Sequence, residues 1–345
     1  MTDVFDYGFG CEPTDPEEYN AYAAFILDGA PDDAPPPLPA RVDLSDMMSP
    51  VKNQGPHSSC VSFAVCNVLD IIPNVVGLVQ DESERFIWYN SKLKTAGEAA
   101  GVLNVGTRIP AAIAVAQQLG SCWEHTCPYD PSPLDAPGQE AFAEALRMKV
   151  TTAARLPGNT LDDYKRVLAA GLPVIVAFDI FGDREYRQQY LYGDAEQPGR
   201  MKMPPVPIPA RTAGHAVLFV GYDDATELIK FKNSWGPESG DNGYYYMPYA
   251  YLQWTRDAFV VTDQEITEHP AQPMQAAPPM ATAGTVTEQA VVTITQQAVT
   301  ERPVEKVAFA TVGVKTLQQE AVRSVLMRKA FTISEGRQPC DVYKF

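Results

Sequence analysis

The chain has 345 residues, enough for roughly two domains of about 150 residues each. With 45% hydrophobic, 10% aromatic and 20% charged residues it can bury a core, which excludes wholesale disorder. Twenty-seven Lys and Arg against 43 Asp and Glu leave a net charge of −16, which argues against a nucleic-acid binder.

Residues 1–40 hold nine acidic side chains and no Lys, Arg or His, and they end in a proline-rich run. Such a segment has little apolar surface to bury and reads as an extended arm, anchored by a short helical patch from Tyr19 to Leu27. Val61, Ala64, Val65, Val68, Leu69 and Ile72 recur at helical spacing until Pro73 stops the run. Further helices are expected over Ile109–Leu119, Phe142–Met148 and Leu161–Ala170, the last closed by Gly171. Strands are expected at Val174–Phe178, Ala216–Tyr222, Leu228–Lys232 and Gly243–Met247. Helices followed by strands predict an α+β fold whose two unlike halves meet at a cleft. A Pro, Ala and Gln linker is expected over 264–284, and a small module of unreadable role over 285–345. No apolar run is long enough to span a bilayer. The first residues lack a basic and an apolar region of the secretory kind, so an intracellular location is expected.

A thiol nucleophile needs a lowered pKa, a base to pair with, and donors for an oxyanion. Cys60 stands where the turn Gly55-Pro56-His57-Ser58-Ser59 runs into the first helix, and the positive end of a helix favours thiolate. Taken alone, a buried cysteine there is more often a small hydrophobe. Gln54, six residues earlier, can aim its amide at the space facing the Cys60 N–H. Of four histidines, His57 lies in that turn, His125 between Cys122 and Cys127, and His269 in the linker. His215 opens an apolar strand after Thr212-Ala213-Gly214, which fixes its ring at a sheet edge. Asn233-Ser234-Trp235-Gly236 ends the neighbouring strand, where Asn233 can orient the ring and Trp235 can shield that bond from water. Cys122 and Cys127, with His125 between them, lack a fourth metal ligand, so a local disulfide or two free thiols is expected, with no metal and no cofactor.

Three blocks together resemble the papain-like (C1) cysteine peptidases. They are Val51–Gly55 with Ser59-Cys60, Gly214-His215-Ala216-Val217, and Lys232–Gly236 with Gly240–Tyr244. The last block, with Met247-Pro248-Tyr249, looks most like bacterial or phage-type members, and the likeness covers about Val42 to Val261. The resemblance implies a two-lobed fold with a helical N-terminal lobe and a barrel-like antiparallel C-terminal lobe. It implies Cys60 as nucleophile, His215 as acid and base, Asn233 as orienter and Gln54 as oxyanion donor. Asn104–Arg108 resembles the segment that pairs with the substrate main chain, so Gly106, Thr107 and Gly214 are expected to bind substrate. Departures are Val61 where the family usually has Trp, Ser58 for a glycine, Ser239 for a second Trp, and His57 for a disulfide-forming cysteine; the last favours a reducing compartment.

The sequence thus predicts a cysteine endopeptidase over 41–263 acting through a Cys–His–Asn triad and a thioester. Its partner is a peptide or protein substrate, with neither nucleic acid nor membrane; the C-terminal module may dock on a protein. Rival readings are an idle papain-like peptide-binding scaffold and a thioester acyl transferase. The acidic arm is either a solubilising tail or a short inhibitory segment running along the cleft.

Overall fold

The computed structural model of the protein describes residues 7–25, 37–71, 81–130 and 133–266. Ile72, Pro73, the ends of the arm, most of the linker and the C-terminal module lie outside the described residues. Helix α1 (Pro16–Ala21) sits in the arm, where the Asp15 carboxylate accepts from the Glu17 N–H at 2.7 Å. Helix α2 (Cys60–Leu69) follows Ser59, and all ten of its residues are buried. Helix α3 (Glu84–Ala96) is not foreseen by periodicity, because Asn90, Ser91 and Lys92 lie buried beside Phe86, Ile87 and Trp88. Each of these polar side chains is satisfied locally. Asn90 and Ser91 donate to the Phe86 and Trp88 carbonyls, while the Lys92 ammonium donates to Leu103 O and lies 3.8 Å from the Trp88 ring centre.

Helix α4 (Ile109–Gln118) starts with Pro110 in its first turn, where a missing N–H costs nothing. Helix α5 (Gln139–Ala145) corrects the expected Phe142–Met148: it starts three residues earlier, and Met148 opens strand β2 (Met148–Arg155) instead. Helix α6 (Leu161–Ala169) is fixed by a reciprocal cap between Thr160 and Asp163, and the chain leaves it through Gly171 at φ +78°. A short α7 (Arg184–Gln188) follows β3 (Val174–Phe181).

The remaining strands are β1 (Arg41–Asp43), β4 (Arg211–Asp223), β5 (Leu228–Lys232), β6 (Tyr244–Pro248) and β7 (Thr255–Ile266). Among the described residues they form one seven-stranded antiparallel sheet in the order β2-β7-β3-β4-β5-β6, with β1 also on β4. The expected linker start at Gln264 is corrected, since Gln264–Ile266 continue β7 and its Gln264 amide reaches back to Val68 O on α2 at 3.3 Å. The apolar run of β3 is buried along most of its length between β4 and β7. Helix α2 packs on β4 and on α3 and α4, so the start of α2 faces the strand that carries His215. The α+β class expected from the order of elements is what the chain adopts.

Candidate active site

Cys60 is the first residue of α2 and is fully buried. The Gln54 side chain is pinned at both ends. Its Oε1 accepts from the Ser234 hydroxyl at 2.5 Å, and one Nε2 hydrogen goes to His57 O at 2.6 Å. The main chain repeats the tie, since the Gln54 N–H donates to Ser234 O at 2.8 Å. With one amide hydrogen spent, the other is aimed into the cleft, the geometry an oxyanion donor requires.

His215 lies in β4 opposite Phe178 of β3, and its Nε2 is 2.8 Å from Asn233 Oδ1. That contact assigns the proton to Nε2 and leaves Nδ1 as the free base; Nδ1 is buried with no partner among the described residues. Trp235 stacks on the ring at 4.8 Å between centres, and Phe178 meets it edge-on at 5.6 Å. Asn233 itself is held through its neighbours. Its Oδ1 also accepts from the Ser234 N–H at 2.9 Å, and the buried Lys232 ammonium donates to Ser49 O, Ser49 Oγ and Asn67 Oδ1 at 2.6–2.9 Å. Asn67 belongs to α2, so this one ammonium ties the end of β5 to the helix that starts with Cys60. The structure therefore brings Cys60, His215, Asn233, Gln54 and Trp235 together.

The cleft is occupied by the chain's own arm. Tyr7 stacks on Trp235 at 4.9 Å, and Phe9 stands edge-on to His215 at 5.6 Å. Between them, Gly8 O accepts the second Gln54 amide hydrogen at 2.9 Å. Further on, Thr107 N–H donates to Gly10 O, Glu12 N–H to Thr107 O, and Cys11 N–H to Gly214 O, at 2.9, 2.9 and 3.1 Å. The three residues expected to hold substrate are thus the ones the arm meets: a Cβ on Gly106 would fall 2.4 Å from Gly10 O. Cys11 and Thr107 pair in parallel. Thr14 donates to Asp257 at 2.7 Å, Glu18 pairs with Arg108 at 3.1 Å, and Tyr19 donates to Leu156 O at 2.8 Å, so the contact extends well beyond the cleft.

In the closed molecule burial opposes the thiolate expected of Cys60. Burial pushes the Cys60 thiol up to about 11, although the Ala216 and Gly10 N–H groups on its sulfur favour the anion. Burial likewise pushes His215 down to about 4, partly offset by Asn233. With the arm in place, burial favours the neutral form of both groups, and the rings of Phe9, Phe178 and Trp235 pack against the imidazole.

Sequence reasoning missed Ser234 as the link between Gln54 and Asn233, and it missed which arm residues engage. The one signal for the latter is Gly8-Phe9-Gly10, where a Cβ on either glycine would fall 2.0 Å from a carbonyl oxygen of His57 or Ser58. Cys122 and Cys127 are free thiols hydrogen-bonded to each other. Among the described residues no cluster of three or more His, Cys, Asp or Glu could hold a metal. Nor, among them, is any helix long and apolar enough to cross a membrane.

Cys60 at the start of a helix thus lies beside His215 on a strand, with Asn233 just past the end of the neighbouring strand. Residues 38–255 match the family described as papain family cysteine protease, and the chain belongs to that family. It is 31% identical over 197 residues to an uncharacterized peptidase C1-like protein of Acanthamoeba polyphaga mimivirus, covering 54% of this chain and 60% of that protein. It is also 31% identical over 215 residues to cysteine protease 1 of Oryza sativa subsp. japonica, covering 60% of this chain and 40% of the plant protein. The chain thus spans about half the length of the curated relatives it matches. Among solved structures, xylellain, a cysteine protease from Xylella fastidiosa, superposes with a TM-score of 0.62 at 25% identity, over 76% of this chain and 97% of that one.

Proposed function

We propose that the chain is a cysteine endopeptidase that is latent in the state described here. The observation that carries this reading is the occupied cleft. An extended peptide, the arm, lies across Cys60 with a carbonyl oxygen on the Gln54 amide, its main chain bonded to Thr107 and Gly214 and its rings against Trp235 and His215. A cleft that holds its own chain so is built for polypeptide.

Catalysis follows from the groups in place once the arm leaves. The Cys60 proton passes to His215 Nδ1, and the resulting thiolate attacks the scissile carbonyl carbon. The Gln54 Nε2–H and the Cys60 N–H hold the oxyanion. The imidazolium then protonates the departing amine, leaving a thioester. Water, deprotonated by His215, attacks that thioester and frees the carboxylate and the thiol. Asn233 keeps Nε2 protonated and Nδ1 toward the sulfur throughout.

The arm avoids this fate by its register. Gly8 places its carbonyl on Gln54, but the group on the Cys60 sulfur is the Gly10 N–H, so no one peptide unit offers its carbonyl carbon to the sulfur and its oxygen to the donors. It holds the site as an inhibitor. The free buried thiols, Cys11, Cys60, Cys66, Cys122 and Cys127, fit a reducing, intracellular setting. Lys232–Gly236, Gly240–Tyr244 and Met247-Pro248-Tyr249 support the reading of a bacterial or phage-type member. Docking on a protein partner is our proposal for residues 285–345, which lie outside the described residues.

Cys60→Ala should abolish peptide turnover while the circular dichroism spectrum stays unchanged. Turnover at the wild-type rate in that variant refutes the assignment. An idle scaffold would fail to react with a thiol-directed epoxide at Cys60. An acyl transferase would give amide products with added amines in preference to hydrolysis.

A further inference from the structure

The turn 54–60 carries both proposed oxyanion donors, yet little of it is regular: Gly55 has φ +59° and His57 and Ser58 are only half-buried. Besides Ser234 and the arm, two side chains from outside the turn stitch it. Asn104 accepts from the Ser58 N–H at 2.8 Å at the surface. Beneath, the hydroxyl of Tyr129 donates to Gln54 O at 2.9 Å and lies 2.7 Å from Ser59 Oγ, whose own hydrogen completes that contact. Tyr129 is 5% exposed, and its ring is wedged edge-on against Phe63 at 5.0 Å and against His57 at 6.0 Å.

We infer that Tyr129 is a positioning residue that sets the spacing of the two oxyanion donors. This rests on the peptidase reading above and deepens it. One hydroxyl is bonded to Gln54, which supplies the Nε2–H, and to Ser59, whose carbonyl carbon is joined to the Cys60 nitrogen that supplies the N–H. Rotation or slippage of the turn would move one donor against the other, and the Tyr129 hydroxyl resists that motion because it is buried and saturated by its two partners. The hydrogen bonds of the hydroxyl run to Gln54 O and Ser59 Oγ and not to the sulfur or the His215 ring, so its removal should change thiol reactivity far less than turnover. It should weaken only steps in which a carbonyl oxygen gains charge, where small misplacements are costly.

The test compares Tyr129→Phe with wild type in the full-length chain, with and without a second change, Gly10→Ala, that displaces the arm. Peptide turnover, affinity for a peptide aldehyde and alkylation of Cys60 by iodoacetamide are read together. The aldehyde forms a hemithioacetal oxyanion and iodoacetamide forms none. The expected result is a kcat about tenfold lower with KM little changed, aldehyde affinity weaker by a similar factor, and alkylation within twofold of wild type. Unchanged kcat, or equal losses in turnover and alkylation, overturns the inference. If Tyr129→Phe fails to fold, Ser59→Ala replaces it. That variant removes one of the two bonds and should show the same split at smaller amplitude; a uniform loss or none overturns it equally. A Gly10→Ala chain that alkylates at Cys60 but cleaves no peptide overturns the peptidase reading and this inference with it. An active Gly10→Ala chain whose turnover is unchanged by adding Tyr129→Phe overturns this inference alone.

Discussion

Gly10→Ala in the full-length chain probes the latch at its tightest point. The added Cβ would lie 2.0 Å from Ser58 O and 2.6 Å from Ser58 Cα. An ordinary C···O contact is about 3.3 Å, so the arm must lift by more than ~1 Å or the catalytic turn must deform. Lifting breaks the Thr107–Gly10, Cys11–Gly214 and Glu12–Thr107 hydrogen bonds of 2.9, 3.1 and 2.9 Å. At about 1 kcal/mol net for each, the closed state loses roughly 3 kcal/mol, or about a hundredfold in the ratio of closed to open molecules. The assay is the rate of Cys60 alkylation by a low concentration of iodoacetamide at pH 7, followed by peptide mass. A rate about a hundredfold above wild type is expected, with peptide turnover rising in parallel. Gly138→Ala serves as control, because its nearest neighbours are the Glu140 side chain at 3.9 and 4.0 Å. Alkylation of Gly10→Ala at the wild-type rate, in a protein with an unchanged melting temperature, would refute the idea that the arm closes the site.

Phe9→Ala removes the ring between His215 and the arm, and should raise alkylation less than Gly10→Ala, by about tenfold, in the same assay. Acid should loosen the latch. Because the buried His215 ring has its pKa lowered to about 4 against an ordinary 6.5, the closed state binds a proton less readily than an open one. Its stability from this group is therefore complete above about pH 6.5 and lost as pH falls toward 4, by on the order of 3 kcal/mol. Hydrogen exchange of the Cys11 and Thr107 amides, corrected for intrinsic rates, should accelerate from pH 7 to pH 5 in wild type and not in His215→Gln. Lys232→Met should lower the melting temperature by about 5–10 °C, since it strands three buried acceptors at ~1 kcal/mol or more apiece. A shift below 2 °C would count against that ammonium as the tie between β5 and α2. Asn233→Ala should retain the fold and lower kcat by about a hundredfold; an unchanged kcat would remove Asn233 from the proposed mechanism.

The sequence placed Cys60, His215, Asn233 and Gln54 because each sits at a boundary with its own local mark: a turn entering a helix, or a polar residue at the edge of an apolar strand. Tyr129 and Ser234 carry no such mark. A hydroxyl's role is set by what folds against it, and both act across distances of 70 residues or more. Helix α3 escaped for a related reason, its buried face mixing Asn90, Ser91 and Lys92 with aromatics, so that no apolar stripe was visible. The start of β7 was hidden by Arg256-Asp257, charges paired within the fold: Arg256 with Asp179, and Asp257 with the arm's Thr14. The burial of Cys60 was not legible from the helix terminus beside it, because part of that burial comes from arm residues about fifty positions upstream, such as Gly10.

The arm and the body it closes are one covalent molecule, which makes the closure independent of protein concentration. Severing the chain between Phe25 and Arg41 would change that without disturbing a single contact in the cleft. The excised peptide would keep its bonds to Thr107, Gly214, Asp257 and Leu156, but its rebinding would become bimolecular, without the millimolar effective concentration a short tether confers. A nicked preparation would then be quiet when crowded and awaken on dilution, so that its measured specific activity would report how far it had been diluted.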